Sequence, residues 1–389
     1  MKLKTKIGVI GTGFIAKGLI NALENQEDLV VSKVLTRRRI EDIKAFPDKD
    51  LLTNSVWEVI ENSEVIVECS GDAIYGTEVV DKAFSASLPV ITMNSELQVT
   101  TGSYFADRGF ITEAEGDQPG CIAALKENMV QMGFKPLVYG NIKGFLNRNP
   151  KKEEMEYWGK RSNLSLQMVT SFTDGTKVQF EQALVANGLG GDIVQKGLLG
   201  PDAEDVESGG SYLAEQAKKH GSAISDYLLC PKGPAGVFIT AEHEENQRAA
   251  LEYFKIGKGP YYTLTQNFHL CHLEIIKTIR RVVGGGGVLL NNTANPSISV
   301  GAIAKVNIGP GEKIPHGIGS FLVRGEAVKM KEHIGHLPIG LLVNAVITRP
   351  IEAGQIISME DVEIPDSLAL KAWKEIKQKV LKKYKVGIR

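Results

Sequence analysis

The feature that most constrains this 389-residue chain lies at its amino end, in the run Gly8-Val9-Ile10-Gly11-Thr12-Gly13-Phe14-Ile15-Ala16. It is a G-x-G-x-x-A pattern set directly between a β-branched strand and a helix-forming stretch, the arrangement that cradles a dinucleotide diphosphate. Gly11 permits the tight turn, Gly13 lets backbone approach the ligand with no Cβ in the way, and Ala16 allows the helix to pack close to the strand. The diphosphate is expected on the free N–H groups and positive dipole end of the helix that opens near Phe14. Gly11, Thr12, Gly13, Phe14 and Ile15 are therefore the expected contacts. The competing reading is a Rossmann-like domain that has lost its nucleotide.

The next strand decides which nucleotide is favoured. An acid about 20 residues beyond the glycines would accept the ribose hydroxyls of NAD. Here the second strand ends in Thr36-Arg37-Arg38-Arg39. With no carboxylate there, Thr36 and the guanidinium of Arg37 or Arg38 suit a 2′-phosphate, so NADP is expected, with NAD as the alternative. A merely solvated arginine run is the bland reading. Further along, Cys69-Ser70-Gly71-Asp72 and Asn94-Ser95-Glu96 fall at strand ends. Ser70, Gly71 and Asn94 are expected to border the nicotinamide, and Glu96 is read equally well as a helix-capping acid.

Alternating β-branched runs and helical stretches extend this pattern to residue 136, which predicts an α/β doubly wound, Rossmann-type parallel sheet over 1–136. The strands are placed at Lys6–Ile10, Leu29–Leu35, Val65–Cys69, Val90–Met93 and Phe110–Thr112, with helices including Ile15–Glu24 and Thr77–Ala86. Residues 137–291 read as an α+β substrate and dimerisation domain, with a strand at Leu137–Leu146 and helices at Lys177–Gly188 and Leu273–Val283. The four glycines Gly284–Gly287 and Asn291-Asn292 look like a linker. A β-rich third unit covers 297–365, where Ile308-Gly309-Pro310-Gly311 faintly echoes Ile351-Glu352-Ala353-Gly354 as two hairpin turns. An amphipathic helix in 366–389 closes the chain.

Composition bounds the function classes. A net charge of -1 gives no reason to expect nucleic acid or an anionic membrane as partner. No window approaches the roughly 20 apolar residues of a spanning helix. Met1–Lys6 runs into a strand with no cleavage signal, so it reads as a mature terminus. The four cysteines are scattered with no C-x-x-C pair, which implies neither disulfide framework nor zinc site. No metal is expected, and a reducing cytoplasm fits.

Hydride transfer needs a proton donor or acceptor on the reacting oxygen, and the second domain is the place to seek it. The densest cluster is Asp174-Gly175-Thr176-Lys177, with Glu181 one turn on. Lys177 is positioned to protonate a carbonyl oxygen, with Asp174 or Glu181 orienting it; a surface Lys177–Glu181 pair competes evenly. Lys143, between Gly140 and Gly144, is a second candidate against a plain surface lysine. His269 is kept as a substrate contact, whereas His272 reads as a capping or core residue and the segment's mixed ligands would not share one metal.

The stretches Gly8–Ala16, Val67–Gly71, Glu113-Ala114-Glu115-Gly116-Asp117-Gln118-Pro119-Gly120, Ser171–Leu189, His269–Glu274 and Leu337-Pro338-Ile339-Gly340-Leu341 together resemble the homoserine dehydrogenase-like oxidoreductases with a C-terminal SAF domain, a family that includes deoxyxylulose phosphate reductoisomerase-like enzymes. The resemblance implies an N-terminal Rossmann domain, a substrate domain that builds a homodimer or higher oligomer, and a β-clip-like module. It implies NADP(H)-dependent interconversion of a small hydroxy and keto compound, or a reductoisomerase acting on a sugar phosphate. From a different class, the same features suit a catalytically silent, nucleotide-responsive protein whose SAF-like module binds a sugar or polyol.

Overall fold

The computed structural model describes residues 4–386; Met1–Leu3 of the mature-terminus reading and residues 387–389 of the closing segment lie outside the described residues. Strands β1 (Thr5–Ile10), β2 (Leu29–Leu35), β3 (Leu52–Thr53), β4 (Val65–Glu68), β5 (Val90–Thr92) and β6 (Ile111–Glu113) form one parallel sheet in the order β3-β2-β1-β4-β5-β6. Its direction of growth reverses between β1 and β4, which opens a crevice at the carboxyl ends of those strands. Helices α1 (Phe14–Glu24), α2 (Val56–Glu61) and α3 (Ala73–Ser85) make the crossovers. α3 begins four residues before the apolar periodicity suggests, because the Asp72 carboxylate accepts from the Ile74 and Tyr75 N–H groups and caps it. After β5, the short α4 (Ser95–Leu97) runs through a π-helical turn at Gln98–Gly102 into α5 (Ser103–Phe105).

The second unit is built from α6 (Gln118–Gln131), β7 (Lys135–Lys143), α7 (Lys152–Ser162), α8 (Leu166–Thr173), α9 (Thr176–Leu189), α10 (Val206–His220), β8 (Ile224–Leu229), β9 (Val237–Glu242), α11 (Arg248–Tyr253), β10 (Tyr262–Gln266) and α12 (Cys271–Val283). Its mixed sheet has the order β10-β9-β7-β8. Cys121 and Ile122 of α6 and Val185 of α9 pack on one face against Tyr139 and Ile239, and α10 covers the other through Leu213, Ala214 and Ala217. Helix α9 is buried nearly all round, and its amides are all occupied. Gln179 Nε2 donates to Gly197 O at 2.9 Å, Gln182 Nε2 to Asp226 O at 2.6 Å, and Asn187 Nδ2 to Ile298 O at 2.8 Å. A helix fixed on every side holds its remaining polar groups rigidly.

Helix α12 returns to the first sheet, where Ile275, Ile276 and Ile279 share a core with Leu19 and Leu23 of α1. Beyond it, the glycine-rich stretch is not a free linker. Leu289 and Leu290 are buried, Glu113 N–H donates to Leu290 O at 2.7 Å, and Asn292 Nδ2 donates to Ser103 Oγ at 2.9 Å. The chain here stitches itself to the open edge of β6, satisfying backbone groups that composition alone cannot show to be paired.

The third unit contains β11 (Ile298–Ala304), β12 (Lys313–His316), β13 (Val323–Lys329), β14 (Val343–Ile347) and β15 (Val362–Glu363), arranged as two small sheets, β11-β13 and β12-β14-β15. The two echoing turns pair with each other: Ile308 and Ile351 exchange backbone hydrogen bonds at 2.9 and 3.0 Å. Gly311 N–H donates to Ile347 O while Gly354 N–H donates to Ala304 O, the same bond in each copy at 2.8 Å. A repeated turn thus folds about an internal two-fold. Helix α13 (Leu368–Val386) buries Trp373 against this unit and reaches the first domain, where Glu375 accepts from Arg108 at 2.7 Å.

His336 is packed edge-on against Trp373, with ring centroids 5.4 Å apart and its Nε2 without a partner among the described residues. Burial holds its pKa down at about 4, against an ordinary value of 6.5. For a histidine whose folded pKa is depressed, stability is complete above pH 6.5 and is lost as pH falls toward 4, because only the unfolded chain takes up the proton. The expected loss over that window is about 3 kcal/mol. Chemical denaturation of the parent and of His336→Asn at pH 7 and pH 5 checks this: the gap between the two pH values should shrink in the variant.

Candidate active site

The glycine turn has the shape a diphosphate requires. Gly11 stands at φ +112°, and a Cβ there would lie 2.9 Å from the Cys69 carbonyl, so only glycine fits between β1 and β4. At Gly13 a Cβ would meet nothing within 4 Å, which leaves open space over the helix start, and no side chain caps α1. Ala16 is fully buried beneath the turn, while Phe14 is 70% exposed at its lip. These residues fit a dinucleotide: free N–H groups face an unfilled cradle.

At the ribose end, Arg38 Nη2 donates to Thr12 Oγ1 at 2.7 Å, and the Arg38 N–H donates to Thr36 Oγ1 at 3.2 Å. Asn54 Nδ2 holds the loop by donating to the Thr36 and Arg38 carbonyls at 2.6 and 3.0 Å. Arg37 pairs with Asp72 at 2.9 Å and lies over the Tyr75 ring at 4.4 Å. Two guanidinium groups therefore flank Thr36. Ser70 N–H donates to Glu68 Oε1 at 2.8 Å, and Gly71 takes φ +69° with open space where a Cβ would stand. Asn94 Oδ1 caps α4 through the Leu97 N–H at 3.0 Å, and Asn94 Nδ2 is buried on the side of the Glu68 carboxyl.

Because Asn94 is the cap, Glu96 is not, and its carboxylate turns to Lys177. Lys177 Nζ donates to Ser95 Oγ at 2.9 Å and to Glu96 Oε2 at 3.1 Å, with Asp117 Oδ2 at 3.7 Å. Burial alone would push the ammonium down, but the carboxylates of Asp117, Glu96 and Glu181 outweigh it and hold Lys177 well above the ordinary lysine value. It stays a cation until a stronger base, such as an alkoxide, meets it.

The sequence neighbours of Lys177 go elsewhere. Glu181 accepts from Asn141 Nδ2 at 2.7 Å and from Lys143 Nζ at 3.0 Å, so no surface Lys177–Glu181 contact forms. Burial raises the Glu181 pKa against the pull of Lys143. Asp174 is fully buried with Lys305, whose Nζ donates to it at 2.7 Å, and it also accepts from the Thr176 N–H at 2.9 Å. It ties the start of α9 to Lys305, one residue beyond β11, so its carboxylate is taken up by these partners. His269 stands at the rim, its Nε2 3.3 Å from Gln118 Nε2, one residue from Asp117. Gly116, at φ +104°, lets this turn lie against the Cys271 carbonyl, where a Cβ would come within 2.2 Å.

Ser95, Asp117 and Glu113 are therefore the site groups that spacing did not single out. The signal that points to them is position: each follows or ends a strand at the carboxyl edge of the sheet. Among the described residues no group of three or more His, Cys, Asp or Glu side chains is placed to hold a metal ion, and no helix is long and apolar enough to cross a membrane.

Residues 11–106 match the family model described as the NAD binding domain of homoserine dehydrogenase, and residues 116–275 match that of the catalytic domain of oxidoreductase DRL. Among solved structures the chain is similar to a probable dehydrogenase from Thermotoga maritima at 13% identity and a TM-score of 0.42, covering 74% of this chain and 91% of that one. It is similar also to UDP-N-acetylglucosamine 3-dehydrogenase from Acidithiobacillus ferrooxidans, at 10% identity, a TM-score of 0.43 and coverage of 75% and 93%. Homoserine dehydrogenase from S. aureus aligns over 34% of this chain and 40% of its own, at 17% identity and a TM-score of 0.26. No curated protein matches. With a nicotinamide-nucleotide domain of homoserine dehydrogenase type joined to an oxidoreductase catalytic domain, the chain is an NAD(P)-dependent oxidoreductase.

Proposed function

We propose that the chain is an NADP(H)-dependent dehydrogenase or reductase that interconverts the hydroxyl and carbonyl forms of a small compound, with Lys177 as the group on the reacting oxygen. The observation that carries this reading is the buried Lys177 ammonium, held by Ser95, Glu96 and Asp117 at the carboxyl edge of the nucleotide-binding sheet. A bound nicotinamide supplies or accepts hydride. Lys177 binds the substrate oxygen, stabilises charge as it develops there, and gives up its proton when an alkoxide forms. Glu96 and Asp117 orient Lys177, the Glu181–Lys143 pair one turn further along α9 adds its field, and His269 contacts the substrate from the rim. The same cation serves a reductoisomerase on a sugar phosphate. We read the β-rich unit at 297–365 as a SAF-like module, on the support of its two-fold pair of turns.

Preference for NADP rests on Arg37 and Arg38 beside Thr36, with no acid at the end of β2 to hold ribose hydroxyls. Titration of the protein with NADPH and NADH, followed by a panel of four- and five-carbon hydroxy acids, aldehydes and sugar phosphates, tests the whole reading. Arg38→Ala should weaken NADPH binding about 10- to 100-fold, the loss of one or two charge-assisted hydrogen bonds, and leave NADH unchanged. Equal losses for both nucleotides would remove Arg38 from the phosphate.

A further inference from the structure

The last residues of β4, β5 and β6 lie in register across the sheet, Glu68 beside Thr92 and Thr92 beside Glu113. Two of the three have their bonds within the fold. Glu68 accepts from the Ser70 N–H at 2.8 Å and from Thr92 Oγ1 at 3.1 Å, which also occupies the threonine hydroxyl. Glu113 has neither solvent nor partner: it is 0% exposed, and none of the described residues gives either carboxyl oxygen a hydrogen bond. An isolated carboxylate in such a place is costly, so the Glu113 pKa is raised well above the ordinary glutamate value, toward the neutral acid. Burial is the main cause, the acids Asp117, Glu96 and Glu68 add to it, and Lys177 alone opposes.

A buried acid that makes no structural bond would be replaced by an apolar residue at no loss to the fold. Its surroundings suggest what it does instead. The charged groups that act on it are those of the Lys177 cluster, and one oxygen of that cluster, Asp117 Oδ2, is itself buried with no hydrogen-bond donor, 3.7 Å from Lys177 Nζ. Reducing a carbonyl consumes one proton at oxygen for each hydride that reaches carbon. If Lys177 supplies it, an amine is left in an enclosed site that must be recharged.

We propose that Glu113 is the proton store behind Lys177: after the Lys177 ammonium has given a proton to the substrate oxygen, the carboxyl proton of Glu113 passes by way of the Asp117 carboxylate to the Lys177 amine. The O–H bond of Glu113 breaks and an N–H bond of Lys177 forms; after product leaves, a proton from water entering the emptied substrate site returns through Lys177 and Asp117 to the short-lived Glu113 carboxylate, which is itself enclosed. In the oxidising direction each transfer is reversed. Glu113 acts through Lys177 and is a positioning residue of the proton path, so the inference rests on the reading of Lys177 given above.

Two measurements on the full-length protein test it. The infrared difference spectrum at pH 7 between the parent and Glu113→Gln, recorded in H2O and D2O, should contain the band of a protonated carboxylic acid in the parent alone, without any substrate. With NADPH and whichever panel compound the parent turns over, Glu113→Gln should lower kcat about tenfold or more, raise the solvent deuterium isotope effect on kcat and change its pH profile, with KM values and melting temperature kept. Absence of the acid band from the parent overturns the proposal. So does a glutamine variant whose kcat, isotope effect and pH profile match the parent. If Lys177→Met is inactive while Glu113→Gln behaves as the parent, the store alone fails; if Lys177→Met is fully active, the reading of Lys177 fails and the store with it.

Discussion

Replacing Lys177 with Met is expected to lower kcat by about three orders of magnitude while the affinity for NADPH stays within a few fold. A loss of that size corresponds to about 4 kcal/mol of transition-state stabilisation, in the range seen when a positioned charge or proton donor is removed from an enclosed site. Its size follows from the setting. Among the described residues the ammonium is the one side-chain cation that touches Ser95, Glu96 and Asp117, and the field of the two acids keeps it protonated until the substrate oxygen becomes strongly basic. Lys177→Arg should recover little, because a planar guanidinium does not fit donors arranged for a compact ammonium. Steady-state rates with NADPH, set beside the nucleotide binding constant, check the point. A methionine variant with kcat within tenfold of the parent would take Lys177 out of the chemistry.

Asp174→Ala is expected to be the most destabilising single change at any of the candidate residues, at about 3–5 kcal/mol. Lys305, 3% exposed, would be left as a buried cation beside the Ser320 carbonyl with no carboxylate among its described partners, and the Thr176 N–H would lose its acceptor at the start of α9. The paired change Asp174→Asn with Lys305→Met should recover most of the loss, since it removes both charges together and keeps an acceptor for the helix start. Denaturant midpoints for the two singles and the double form a cycle whose coupling should exceed 1 kcal/mol. The double variant should also retain kcat. If it refolds well and turns over no substrate, Asp174 belongs to the reacting groups after all.

These two residues show where reading along the chain succeeds and where it stops. Asp174, Lys177 and Glu181 lie within eight residues and invite grouping into one catalytic cluster. In three dimensions they point to three different partners, Lys305, Glu96 with Asp117, and Lys143 with Asn141. A helix of 3.6 residues per turn fans its side chains around the axis, and α9 is surrounded on every side, so each finds a neighbour from a different element. Lys177 itself was recognisable as a candidate. Its acids were not, because Glu96 looks like a cap until Asn94 is seen to fill that role.

Position along the sheet was more legible than partnership. The glycine turn, the arginines at the end of β2 and the polar residues after β4 and β5 all fell where strand-ending patterns put them, since these depend on contacts a few residues long. The glycine-rich stretch before Leu289 misled for the same reason. Its composition is that of a linker, and only a distant partner, the edge of β6 that bonds Leu290 just beyond it, ties the segment down.

The sequence by itself determined the doubly wound sheet, the diphosphate turn with its missing Cβ, and the lack of an acid at the ribose end. Each is a matter of backbone freedom and local periodicity, which a short stretch of chain carries on its own. Only the tertiary structure decided which carboxylates surround Lys177, that Asp174 belongs to a buried pair with Lys305, and that Glu113 stands enclosed with no partner among the described residues. Burial and electrostatic field are properties of everything packed within a few ångströms, and those neighbours come from strands and helices far apart in the chain.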